Sequence, residues 1–322
     1  MPANRSNRMI WTGVAVASVL LTTAAIAGIG WGGKSSTSGA RSADRLSHVH
    51  AMAVNPADEQ LYVATHDGVV RVSDDEAVHV GEGRQDTMGF TVIGRNHFLA
   101  SGHPAAGTAG PANLGLIEST DAGLTWRPVS LSGQADFHSL RSVAGVTYGL
   151  DSTTSSLLAT NDLRTWQARS RIEALDLVVE PERPAILLAT TKQGLRRSID
   201  GGRTWTGAAG PPLLLLEWAD RDRLHGIATD GRVLLSVDGG AAWSATGGKV
   251  PDAPAAFTTH GDLIFLATRD GRVLRSDDAG VSWQPMQTTI HPGNNRTKRP
   301  NWPEIITNWG RSPEESRGQA HR

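Results

Sequence analysis

Apolar residues between about positions 46 and 286 fall in short runs separated by turn residues, and the runs follow one grammar throughout. In the best-formed unit, Ile186 to Thr190 is an apolar strand and Lys192 to Gly194 a turn. Leu195 to Ser198 is the next strand, and Asp200 to Gly202 is a tight turn before Thr204 and Trp205. Other units carry Asp-Gly at the first turn, as in Asp67-Gly68, Asp230-Gly231 and Asp270-Gly271, which suits type I′ hairpins because both central residues take positive φ. Upstream of each hairpin lies another apolar stretch, such as Ala51 to Val54, Phe90 to Val92 or Leu175 to Val179. Each unit is therefore expected to form a four-stranded antiparallel sheet.

The unit carries a signature, Ser-x-Asp-x-Gly-x-x-Trp, read at Ser119 to Trp126, Ser198 to Trp205, Ser236 to Trp243 and Ser276 to Trp283. A worn copy ending at Trp166 aligns Ala159, Asn161 and Leu163 with the serine, aspartate and glycine. Another matches Ser73, Asp75, Ala77 and Val80. The tryptophans from Trp126 to Trp283 are spaced by 40, 39, 38 and 40 residues, a period that marks a propeller or array of short strands. The expected fold is all-β, a propeller of six blades with seven as the alternative. The stretch Pro104 to Asn113, rich in Pro, Gly and Ala, reads as a loop inserted into blade two.

The signature resembles the Asp-box, or bacterial neuraminidase repeat, of sialidase-type and sortilin-type propellers. Its residues look structural: the aspartate accepts hydrogen bonds from its own turn, the glycine takes a backbone conformation closed to other residues, and the tryptophan fills space between strands. Asp121, Asp200, Asp238 and Asp278 are accordingly read as scaffold, on the face opposite the usual ligand site of such folds.

The ends of the chain differ from this body. Arg5 and Arg8 precede an uncharged run from Met9 to Gly33, so residues 1–33 read as a signal peptide or an uncleaved transmembrane anchor. Ala25-Ile26-Ala27 offers a cleavage site, and positive charge on the short side places the propeller outside the cytoplasm in either case, secreted or membrane-anchored. Residues 34–45 read as a flexible tether and residues 287–322 as a disordered tail.

Lysine and arginine number 31 against 32 aspartates and glutamates, so no basic field argues for nucleic acid or an acidic membrane surface. With no cysteine, disulfides, thiolate metal clusters and cysteine nucleophiles are excluded. The expected state is a monomer whose only membrane contact is its N-terminal segment.

Candidate chemistry lies in the histidines. The blade starts align as His48 to Met52, Asp86 to Phe90 and Asp136 to Leu140, which puts His50, Met88 and His138 at one equivalent position of three neighbouring blades. His66 and His103 follow second strands, so these residues and His48 converge on one channel rim. The comparable positions of later blades are Glu173 and Leu175, Lys192, Asp230 and Arg269, with no histidine. Imidazoles with a thioether suit copper, and imidazoles with a carboxylate such as Asp86 or Asp136 suit zinc. His79, His97, His225 and His260 read as structural or exposed.

The chain from Leu46 to Met286 also resembles a family of small exported bacterial proteins labelled glycosyl hydrolases or exo-sialidases. Ser47 to Val54, Thr65 to Gly68, Met88 to Phe90, Ser101 to Pro104 and Asp136 to Leu140 are the more family-specific stretches. A sialidase needs an arginine triad and a tyrosine nucleophile; the triad is not found, and Tyr62 and Tyr148 sit within second strands. Three readings follow. One is an exported propeller binding a small ligand, with copper or zinc at the histidines. Another is a glycosyl hydrolase-like enzyme acting on glycans, with Asp86 and Asp136 as acid and base. The third is a protein-interaction or assembly-factor propeller without catalysis.

Overall fold

A computed structural model describes residues 45–290 of the 322. The expected leader or anchor, nearly all of the tether and the chain after residue 290 lie outside the described residues. Among the described residues no helix is long and apolar enough to cross a membrane.

Twenty-four strands form six four-stranded antiparallel sheets, each a meander of consecutive strands. Blade 1 comprises β1 (Val49–Asn55), β2 (Gln60–Thr65), β3 (Gly68–Val72) and β4 (Ala77–His79). Blade 2 comprises β5 (Asp86–Gly94), β6 (His97–His103), β7 (Leu116–Ser119) and β8 (Arg127–Ser130). In blade 3 the strands are β9 (Phe137–Val143), β10 (Val146–Asp151), β11 (Ser156–Thr160) and β12 (Gln167–Arg171). Blade 4 holds β13 (Ala174–Val179), β14 (Leu187–Thr191), β15 (Gly194–Ser198) and β16 (Thr206–Gly207). Blade 5 holds β17 (Leu213–Trp218), β18 (Leu224–Ala228), β19 (Arg232–Ser236) and β20 (Ser244–Lys249). Blade 6 is β21 (Pro254–His260), β22 (Leu263–Thr268), β23 (Val273–Ser276) and β24 (Gln284–Pro285). The first strands meet in the cyclic order β1, β5, β9, β13, β17, β21 and back to β1. The fold is a six-bladed β-propeller: among the described residues six blades close the ring, not the alternative seven.

Both faces of a blade are covered by its neighbours, so second strands such as β2, β14 and β22 are buried at every position. The core is correspondingly divided among the blade interfaces. Leu61, Val63 and Val70 of blade 1 pack with Phe265 and Val273 of blade 6, and Tyr62 and Val69 pack with Phe90 and Phe98 of blade 2. Tyr62 and Tyr148 sit in these interfaces, bonded to Asp58 and to the carbonyl of Pro184.

Four signature turns share one network. Ser198 Oγ donates to Asp200 Oδ1 at 2.8 Å and accepts from the N–H of Gly202 at 2.9 Å, while Asp200 accepts from the N–H and hydroxyl of Thr204 at 3.0 and 2.6 Å. The same serine–aspartate bond recurs at Ser119, Ser236 and Ser276. The copy ending at Trp166 corrects the alignment on Ala159, Asn161 and Leu163. Thr160 and Asp162 fill the serine and aspartate roles, joined at 3.0 Å, with Asp162 accepting from the N–H of Thr165 at 2.7 Å. One residue is missing between them and the tryptophan, so the network is kept while the spacing shifts. Tryptophans then tie blades together: Trp166 donates to Ser130 Oγ and Trp205 to Ser170 Oγ, each at 2.9 Å across to the preceding blade.

The ring closes between blades 6 and 1 from both ends of the described chain. Leu46 N–H donates to the carbonyl of Gly271 at 3.0 Å, and past Met286 the chain lies along β4, where Ile290 bridges Ala77 in parallel. Phe265, fully buried at this closure, is its largest shared side chain. Phe265→Ala is expected to destabilise the propeller by about 3–5 kcal/mol, read as a lowered urea midpoint.

Candidate functional site

Every first strand begins with a β-bulge, at His50, Met88, His138, Leu175, Leu214 and Ala255 in turn. A bulged residue is left out of the ladder and its side chain is re-aimed. Four of these residues, His50, His138, Leu175 and Ala255, line a 90 Å³ cavity at this end of the channel. His50, Met88 and His138 thus occupy equivalent positions, as their alignment predicts. For blade 5 the register differs from expectation. Thr229 donates its N–H to the carbonyl of Pro212, as Ser152 does to Asp136 and Arg269 to Ala253, so Thr229 rather than Asp230 holds the position of His66.

The expected single cluster resolves into two triads, each organised by an aspartate. In one, His66 Nδ1 lies 2.8 Å from Asp86 Oδ2 and His50 Nε2 lies 3.5 Å from Asp86 Oδ1. In the other, His138 Nε2 and His103 Nε2 lie 2.8 and 3.6 Å from Asp136 Oδ2. One ligand atom from each residue of a triad falls within 4.8 Å of the others. His48 is exposed and joins neither triad, its ring standing 4.9 Å from that of His66. Met88 is half-buried at the bulge between those of His50 and His138.

The two carboxylates are held from behind. Asp136 Oδ2 also accepts from Ser152 Oγ at 2.6 Å, and its backbone N–H donates to Asp151 at 3.0 Å. Asp86 stands directly opposite His103 across β5 and β6. The inserted loop reaches back over this pair, its Ala112 carbonyl 3.0 Å from His103 Nδ1. A proton on Nδ1 for that bond leaves the Nε2 lone pair of neutral His103 facing Asp136. Close approach at the strand ends is made by Gly102, at φ 143°, where a Cβ would fall 1.9 Å from the Asp86 carbonyl oxygen.

Three atoms of these triads, His50 Nε2, Asp86 Oδ1 and Asp136 Oδ1, are buried with no hydrogen-bond partner among the described residues. Burial pulls the His50 imidazole below its ordinary value, against the opposing pull of Asp86. Burial alone would raise the Asp86 and Asp136 carboxyls, but the His50 imidazole beside Asp86 and the hydrogen bond between His138 and Asp136, with the other surrounding imidazoles, hold both below the usual range. Neither carboxyl is raised as a general acid working near neutral pH requires, which argues against their use as an acid/base pair.

Midway down the channel lies a group unmarked by histidine counting. Arg141 Nη2 is 3.3 Å from Asp176 and 3.7 Å from Glu217, its Nε donates to the Leu177 carbonyl at 2.8 Å, and Glu217 accepts from Thr258 at 3.2 Å. This girdle joins first strands of blades 3 to 6. Its signal in the sequence is a single charge within each of three apolar runs, at Arg141, Asp176 and Glu217.

No protein-family profile matches the chain, and no curated protein does. Solved structures do. A GH74 enzyme of Niastella koreensis aligns with a TM-score of 0.56 at 14% identity, over 75% of this chain and 45% of its own. The GH74 xyloglucanase of Xanthomonas campestris gives 0.50 at 15% identity over the same shares. A chain of a nidogen/laminin complex gives 0.52 at 12% identity, over 72% of this chain and 93% of its own. The shared feature is the β-propeller. At these identities the likeness establishes the fold alone, and the chain spans less than half the length of the GH74 structures.

Gly102→Ala is expected to cost more than about 1 kcal/mol and to displace Asp86. The loss shows as a lowered melting temperature with shifted NMR signals of His50 and His66. Because His50 titrates below 6.5 and both carboxyls below 3.8 in the fold, the unfolded chain binds more protons and stability falls as pH falls. Urea midpoints are expected to decline first below pH 6.5, through His50 together with His79, His225 and His260, which burial also lowers, and again below pH 3.8 as the carboxylates protonate. His50→Gln should remove His50's share of the first decline and, with one imidazole gone from beside Asp86, reduce the second.

Proposed function

We propose that the rim of blades 1 to 3 is a ligand-binding site that takes late divalent metal ions through its two histidine–aspartate triads. The carrying observation is the facing pair His50 Nε2 and Asp86 Oδ1, both buried, both unpartnered and 3.5 Å apart. Two ligands about 2.0–2.1 Å from one tetrahedral zinc ion lie roughly 3.3–3.4 Å apart, so this spacing suits a shared cation. His66 completes the first set, with His48 beside it; His103, His138 and Asp136 make the second.

Two imidazoles and a carboxylate are a donor set suited to zinc, and Met88 is the soft donor that would favour copper. Three protein ligands per triad would leave a fourth tetrahedral position for water or a small ligand. An exported location, secreted or anchored, belongs to the same proposal and rests on residues 1–33. A glycan ligand is the alternative, supported by the fold shared with GH74 enzymes. The lowered Asp86 and Asp136 carboxyls weigh against hydrolysis at this rim.

Elemental analysis of the purified full chain after exposure to zinc or copper tests this reading. Up to two zinc ions per chain are expected, with His50→Ala and His138→Ala each removing one and the double variant both. A folded parent that retains no metal after desalting would overturn it.

A further inference from the structure

We propose that the channel mouth opposite the histidines is a second ligand site, which takes a neutral polyhydroxylated molecule the size of one sugar ring. The first strands run side by side from one mouth to the other, so their late residues surround this end. Val54, Val92, Val143 and Val179 are among the walls of a 230 Å³ cavity there. That is roughly the share of seven or eight liquid waters. The girdle forms its inner end, since Arg141 borders both this cavity and the 90 Å³ one at the histidine rim.

Its polar groups come as donors and acceptors side by side. Arg141 spends Nε and Nη2 on Leu177 and Asp176, while Nη1 has no partner among the described residues. Glu217 Oε1 accepts from Thr258, and Oε2 lies 3.7 Å from Arg141 Nη2, beyond hydrogen-bond reach. The Thr91 and Thr259 side chains, also in the wall, make no hydrogen bond to a described residue. A guanidinium beside a carboxyl with scattered hydroxyls matches adjacent hydroxyls of a ligand, each of which both donates and accepts. Apolar Val54, Val92, Val143 and Pro181 supply the surface against which a ring's C–H groups pack.

Charge selects against ions. Asp176 is bonded to Arg141 and to the backbone N–H groups of Leu177 and Leu216, which offsets the guanidinium. Burial lifts the Glu217 carboxyl to about 7, against the pull of Arg141, so its net charge near neutrality is fractional. An anion entering here would meet Glu217 beside a guanidinium already paired with Asp176, and a cation would meet Arg141. Pockets of this kind, with few convergent polar groups and a shifted titratable residue, are where small ligands bind.

The test uses the full chain with D-glucose, D-galactose, D-xylose and N-acetyl-D-glucosamine, their β-1,4-linked disaccharides, and glucose 6-phosphate. Saturation-transfer NMR with titration calorimetry reads binding. At least one neutral sugar is expected to bind saturably, more tightly than the phosphate ester. Tighter disaccharide binding would assign the site to the end of a glycan, and equal or weaker binding to free sugars.

Glu217→Ala should weaken binding about tenfold or more, whereas Glu217→Gln, neutral and of the same shape, should retain it. Thr91→Val, which only removes a hydroxyl, should weaken it severalfold in a protein of unchanged melting temperature. The His50→Ala, His138→Ala double variant should bind sugar as the parent does, which separates this site from the metal reading. Absence of saturable binding by every neutral sugar would overturn the proposal. So would binding indifferent to both Glu217→Ala and Thr91→Val, or abolished by the histidine changes.

Discussion

Apolar packing between neighbouring blades is the constraint on which everything else rests. A four-stranded meander that is apolar on both faces cannot remain in water alone, and a ring gives every face a partner. Among the described residues each blade is built from consecutive strands, so none borrows a strand from another blade. Side chains such as Phe265 against Leu61 and Val63, with the backbone bonds at Leu46 and Ile290, must hold that seam. The signature turns rigidify the far edges of the blades, and Trp166, Trp205 and Trp283 bond across to the preceding blade.

The ring creates the sites by what it does to first strands. They converge on the axis, and a bulge at the start of each re-aims one side chain at the mouth. Where that residue is Leu175, Leu214 or Ala255, the bulge offers an apolar side chain; where it is His50, Met88 or His138, it offers a ligand. The triads also straddle blade boundaries. Asp86 of blade 2 receives His50 and His66 of blade 1, and Asp136 of blade 3 receives His103 of blade 2. Site geometry therefore depends on the angle between blades, and the close approach at Gly102 and the loop carbonyl at Ala112 fix it locally.

Polarity is divided along the channel. Imidazoles and carboxylates occupy one mouth, an arginine with two acids spans the middle, and hydroxyls among valines line the other. Asp176 accepts backbone N–H groups from its own strand and from blade 5, so the girdle is a strut as well as a lining. Glu217 is less fully bonded, and burial beside Asp176 raises it.

The sequence alone determined the strand grammar, a repeat count of six blades with seven as the alternative, and the mouth at which the histidines gather. These depend on local rules: turn chemistry, a period near forty residues, and equivalence between repeats, which places His50, Met88 and His138 together without knowledge of packing. Local spacing failed by one residue at Asp162, where a turn shortens while its hydrogen bonds persist, and at Thr229, where strand pairing rather than the Asp-Gly dipeptide fixes the position. Only the tertiary structure decided that Asp86 and Asp136 each gather two imidazoles and that Arg141, Asp176 and Glu217 form one group. Those contacts join strands of different blades, and their titration follows from burial, which exists only once the ring has closed.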